Sequence, residues 1–274
     1  MNDAKWDRRI RRANELASSY PCSAEGLRYY ARVATFQKGV YAEIQKALAD
    51  SPRIASDRPL RDELDFFLLL PKLPGFLSVI QKIAPAPLAQ AAATLAMKGS
   101  AAWQHAIEDF WHGDSELAED LDDDEQVHRV LAWIFLQPYA EYLADHTEWT
   151  APSGTPSVCP LCGGKPQVGA LRPEGDGGKR SLICSLCGTE WAYRRMVCPA
   201  CGEEDVHKLS VYTAEEFSHV RVEACEACHS YIKTVDLTKD GHAVPVVDEL
   251  ATIPLNLWAN EHGYLKLQNN FFGI

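Results

Sequence analysis

What this 274-residue chain lacks narrows its function before any motif is read. It has no surplus of positive charge: 27 Lys and Arg stand against 38 Asp and Glu, a formal net charge of −11. Both halves are acidic, with 23 acids to 16 bases in residues 1–150 and 15 to 11 in residues 151–274. A surface of that sign repels phosphate backbones, so no nucleic acid is expected as a partner. No run approaches the roughly 18 apolar residues of a membrane span, and Phe66–Leu70 reads as a fragment of a core helix. The charged start, Met1 to Arg12, is not followed by an apolar stretch, so no secretory signal is expected. A reducing, cytoplasmic setting follows as the expectation. Phosphate loop, dinucleotide glycine fingerprint and Ser-His-Asp order are all missing. The nine His residues are scattered and read as structural or surface groups. Neither an enzyme activity nor a catalytic residue is expected.

What is present divides by texture. With 46% hydrophobic residues the chain can bury a core. Residues 1–150 read as an all-α helical bundle. Trp6, Ile10, Ala13 and Ala17 form one helical stripe, and a second helix is expected from about Ser23 to Ala49. A third is expected from Pro59 to near Pro71, and a fourth holds Phe76, Leu77, Ile80 and Ile83. Two more carry Leu88, Ala92 and Leu95, then Trp103, Ile107, Phe110 and Trp111. The last long one runs from Val127 to Tyr142, with Pro138 expected to bend it. Between these, Asp114–Glu125 holds eight acids in twelve residues. It reads as a solvated loop and helix start, without the alternation of a calcium loop.

Pro, Gly, Ser and Thr crowd His146–Val158, which marks a boundary. Beyond it, short β-type runs are expected at Ser181–Ile183, Val206–Tyr212, Val220–Val222, Ile232–Val235 and Val244–Val247. A single C-terminal helix is expected from Asp248, as cap, to Gly263.

Four knuckles carry the chemistry: Cys159-Pro-Leu-Cys162, Cys184-Ser-Leu-Cys187, Cys198-Pro-Ala-Cys201 and Cys225-Glu-Ala-Cys228. A two-residue spacer lets one tight turn aim both sulfurs at a single ion, and Gly after the second Cys suits the backbone angle there. The intervals are 21, 10 and 23 residues. Sequential pairing is the simple reading: Cys159, Cys162, Cys184 and Cys187 as site 1, and Cys198, Cys201, Cys225 and Cys228 as site 2. A crossed pairing, as in interleaved fingers, stays open. Tetrahedral S₄ coordination suits zinc or a single rubredoxin-type iron. The expected architecture is therefore mixed: a helical domain over 1–150, zinc-ribbon-like β modules over 151–195 and 196–247, and a C-terminal helix and tail over 248–274. Trp191, Tyr193, Arg194 and Arg195 should lie where the modules meet. Cys22 stands alone and reads as a buried or half-buried thiol, and His229, in the place of the knuckle Gly, is not read as a ligand.

The string CPLCGG…LICSLCGTEWAYRRMVCPACG…VEACEACHSYIKTVD, followed by VVDELATIPLNLWANEHGY…NNFF, resembles the FdhE family of formate dehydrogenase accessory proteins. The likeness covers about 159–271, with LQPYAEYLA agreeing in the helical half. That resemblance implies a cytoplasmic, non-catalytic helper. It would bind the catalytic subunit of a respiratory formate dehydrogenase and carry rubredoxin-like iron sites. An electron carrier using Cys₄ iron and a structural zinc adaptor are the alternatives.

Overall fold

The computed structural model describes residues 3–49, 59–112, 123–149, 154–175 and 177–273. The chain forms two compact units: residues 32–149, and residues 2–31 together with 150–274. The helices of the first half are α1 (Asp3–Ser19), α2 (Ala24–Ala47), α3 (Phe66–Leu69), α4 (Leu73–Ile83), α5 (Ala86–Lys98), α6 (Ser100–His112) and α7 (Asp123–His146). The division falls inside α2, after residue 31, so α1 belongs with the cysteine-rich half.

In the helical unit, aromatic rings fill the centre. Phe76 of α4, Trp103 of α6 and Phe135 of α7 are all buried, with ring centroids 5.2 to 6.2 Å apart. α7 continues through Pro138. Proline has no N–H to offer the carbonyl of Ile134 one turn back, and Gln37 of α2 donates to that oxygen at 2.8 Å instead. The expected helix from Pro59 to Pro71 is not formed as one piece. Pro59 leads only a 3₁₀ turn over Leu60–Asp62, and the chain restarts at Asp65, whose carboxylate accepts the Leu68 N–H at 3.0 Å. Contrary to the sequence reading, Phe66–Ile83 is long and apolar enough, by length and composition alone, to cross a membrane: 18 residues of mean hydropathy 1.4. It is divided into α3, a 3₁₀ turn over Leu70–Lys72 and α4, which buries Leu73, Phe76, Leu77 and Ile80. Most of the acidic stretch before α7 lies outside the described residues.

The other unit is built on one mixed sheet. Its strands are β1 (Pro166–Glu174), β2 (Gly177–Cys184), β3 (Glu190–Ala192), β4 (Leu209–Thr213), β5 (Val220–Cys225), β6 (Ser230–Asp236) and β7 (Leu265–Lys266). The order is β3-β2-β1-β6-β5-β4, with β7 also on β6. Each cysteine module supplies an antiparallel set, β1–β2–β3 and β4–β5–β6, and the parallel pairing of β1 with β6 fuses them. At this seam Gly169 lies opposite Thr234, where a Cβ on Gly169 would sit 2.3 Å from the threonine hydroxyl oxygen. Only glycine permits the two strands to approach so closely.

Val244–Val247, expected as a strand, instead opens α8 (Pro245–Ala251), and the final helix is two helices, α8 and α9 (Ile253–Glu261). Pro245 is set for the first helical turn, which starts α8 ahead of Asp248. From inside the helix the Asp248 carboxylate still accepts the Val244 N–H at 2.7 Å. The helix breaks at Thr252, and buried Lys233 of β6 donates to the carbonyls of Glu249 and Thr252 at 2.6 and 3.2 Å. The core joins sheet to helices through Val168, Ala170, Val220, Val222, Val235 and Leu255.

Candidate metal centres

The knuckles share one local plan, each of its two bonds being made in three of the four. The residue after the second cysteine donates its N–H to the carbonyl of the first: Gly163 to Cys159, Gly202 to Cys198, and His229 to Cys225, at 2.9 to 3.0 Å. The first cysteine in turn donates its own N–H five residues on: Cys159 to Gly164, Cys184 to Thr189 and Cys198 to Glu203. That turn requires a positive φ, which Gly163, Gly188 and Gly202 adopt at 71°, 67° and 78°. His229 takes the same conformation at 54°, the one described non-glycine residue to do so.

The first and second knuckles converge, and so do the third and fourth. In each set the four Sγ atoms lie within 4.8 Å of one another. The contacts are 3.5 Å for Cys159–Cys187 and 3.4 Å for Cys162–Cys184, then 3.8 Å for Cys198–Cys228 and 3.7 Å for Cys201–Cys225. A disulfide needs about 2.05 Å, and all eight thiols are free. A tetrahedron of sulfurs around an ion, with bonds of about 2.3 Å, has edges of roughly 3.8 Å. The donor sets fit that figure.

Electrostatics agree with the geometry. Thiol hydrogen bonds from Cys162, Cys184 and Cys187 hold Cys159 far below the ordinary thiol range. Burial, then the neighbouring thiols, pushes Cys184 well above it. Four sulfurs this close cannot all ionise against one another, and a divalent cation relieves that repulsion. Surroundings differ between the sets. All four cysteines of the first are buried, whereas in the second Cys201 is exposed and Cys228 half-buried. Cys22 is exposed, where a buried or half-buried thiol was expected, and is in neither set.

Of the residues between the second and third knuckles, the two aromatics pack inward, while Arg194, Arg195 and Met196 are exposed. Trp191 and Tyr193 are buried, and the Trp191 indole donates to the Pro156 carbonyl at 2.9 Å. Arg194 pairs with Glu204 at 2.7 Å. The anchor joining the modules is Arg180 of β2, 1% exposed, which pairs with Glu223 of β5 at 2.6 Å and lies 5.2 Å from the Tyr193 ring centroid.

Two buried charge networks went unread in the sequence. In one, Asp248 receives Arg12 of α1 at 3.1 Å and His219 at 2.9 Å, while Arg12 reaches Asp240 at 2.7 Å. His219, Asp240 and Asp248 have metal-ligand types, but the guanidinium already lies between the two carboxylates. In the other, Glu249 faces Lys233 and Lys266. Burial alone would raise Glu249, yet the two ammonium groups outweigh it and bring it down to about 2. Burial lowers Lys233 to about 7 against the opposing pull of Glu249. A charge on a strand such as SYIKTVD was the available signal, since Lys233 shares a face with Tyr231 and Val235.

Residues 158–195 match the family model described as the FdhE central domain, and residues 196–272 that of the FdhE C-terminal domain. An FdhE homologue of Aquifex aeolicus is 36% identical over 140 residues, 51% of this chain and 50% of the relative. One of Haemophilus ducreyi is 31% identical over 148 residues, 52% of this chain and 47% of the relative. The chain thus spans about half the length of the curated relatives it matches. The crystal structure of the FdhE protein from Pseudomonas aeruginosa superposes with a TM-score of 0.70 at 26% identity, covering 98% of this chain and 95% of that one. Over residues 158–272 the chain is similar to the FdhE family, and it shares the fold of that crystal structure.

Proposed function

We propose that the chain is a non-enzymatic maturation factor. In this reading it binds the catalytic subunit of a respiratory formate dehydrogenase in the cytoplasm and is needed for that enzyme's activity. Each cysteine set holds one ion: Cys159, Cys162, Cys184 and Cys187 the first, Cys198, Cys201, Cys225 and Cys228 the second. The observation that carries the metal assignment is the sulfur spacing of 3.4 to 3.8 Å, close to a tetrahedral edge. Similarity to FdhE over residues 158–272 supports the client.

The bound ion, iron on the family resemblance or zinc, would cross-link two turns distant in sequence. An electron-carrier reading has one observation in its favour, the exposure of Cys201 in the second set. Colour separates the two ions: oxygen-free protein that is red and bleaches reversibly with dithionite holds iron. Colourless protein with two zinc ions per chain supports a structural adaptor. For the client, the tagged chain is purified without oxygen from cells making formate dehydrogenase. Co-elution of the catalytic subunit is expected, and a clean preparation without it, from cells rich in that subunit, overturns the reading.

A further inference from the structure

A cleft of about 620 Å³ lies between α1 and the loop leading into α8, and it shares Gly188 with the second knuckle. α1 lays Lys5, Arg8, Arg9, Arg11 and Arg12 along it, and Arg172 of β1 adds a sixth cation. The acids lining it are Glu15 and Glu190. In a chain of net charge −11, this is a local reversal of sign.

Internal partners explain only part of it. Arg12 is held by Asp240 and Asp248, Arg172 is held by Glu190 through two contacts of 2.7 Å, and Arg9 lies over the Trp6 ring. Arg8 and Arg11 are exposed and, among the described residues, make no ion pair. The spacings Lys5–Arg9, Arg8–Arg11 and Arg8–Arg12 set like charges side by side on one helix. An external anion would offset that repulsion.

From this juxtaposition we infer that the cleft is a binding site for a small molecule carrying two or more phosphate groups. Arginine dominates the lining, and its planar fork matches phosphate oxygens two at a time. A long polyanion is disfavoured, because beyond the cleft it would meet the acidic remainder of the surface. The inference is independent of the proposed client.

Calorimetric titration of the full, metal-loaded chain with inorganic triphosphate at low ionic strength tests it, with metal content measured before and after. Saturable binding that weakens with added salt is expected. The double variant Arg8→Glu with Arg11→Glu should weaken it by about tenfold or more, and the milder Arg8→Gln with Arg11→Gln should move the same way. Arg28→Glu with Arg32→Glu, exposed on α2 and equal in charge change to the first pair, should leave it nearly unaltered. No binding by the unaltered chain overturns the inference. So does equal loss in both glutamate pairs, or a hexaglutamate peptide binding as tightly as triphosphate.

Discussion

His229 shows how much a single backbone position can reveal. Three knuckles place glycine at the positive φ that ends the turn, and the fourth places histidine there at 54°. For a residue with a side chain that conformation costs roughly 1–2 kcal/mol. His229→Gly should therefore raise the urea midpoint, by about 0.5–1 kcal/mol of stability, and retain both ions. Loss of an ion in that variant would instead make the imidazole a ligand. Glu249 supports a pH prediction. Its folded value of about 2 lies below the ordinary 4.5, so its ionised form stabilises the fold fully above the ordinary value. That contribution is lost as pH falls from about 4.5 through about 2. Thermal melts should show Glu249→Gln less stable than the unaltered chain at neutral pH, with the gap closing over that acid range. A gap independent of pH would contradict it. The cysteines were legible because their spacing is a local property, written in four consecutive residues. Glu249 was not, since its partners Lys233 and Lys266 reach it only through the fold.

Among the elements, the seam between β1 and β6 has the most demanding geometry. Two modules legible as separate hairpins are fused by a parallel pairing of residues about 65 positions apart, Gly169 with Thr234. No periodicity announces a pairing at that distance, and the glycine that permits it looks like any other in the sequence. Gly169→Ala should force the strands apart and lower stability by about 1–3 kcal/mol, read from a denaturant midpoint. An unchanged midpoint would show that the seam does not carry the load assigned to it. Helical stripes were read well where apolar spacing was regular, as in α1 with Trp6, Ala13 and Ala17 buried. They were misjudged where proline and a side-chain cap competed. Asp65 restarts the chain after Pro59, and Pro245 opens a helix where β-branched valines suggested a strand. The last helix divides at Thr252 because Pro254 has no N–H to continue it, and the break is braced by Lys233, a donor from another element that sequence order does not bring near.

At the scale of the whole molecule, acidity and metal sites belong to one picture. Eight thiolates around two divalent ions would add about −2 per site to a chain already at −11. Against that acidity the basic cleft beside the first cluster stands out. Apart from that cleft, the cysteine-rich unit is organised around its sulfur sets: the knuckles bracket β1–β2 in one module and β4–β5 in the other. Metal analysis of the chain purified without oxygen, beside Cys159→Ser and Cys198→Ser, tests this most directly. The account predicts two ions per chain, falling to one in each variant, with residues 157–235 becoming sensitive to protease. The same metal count in the unaltered chain and both variants would contradict it.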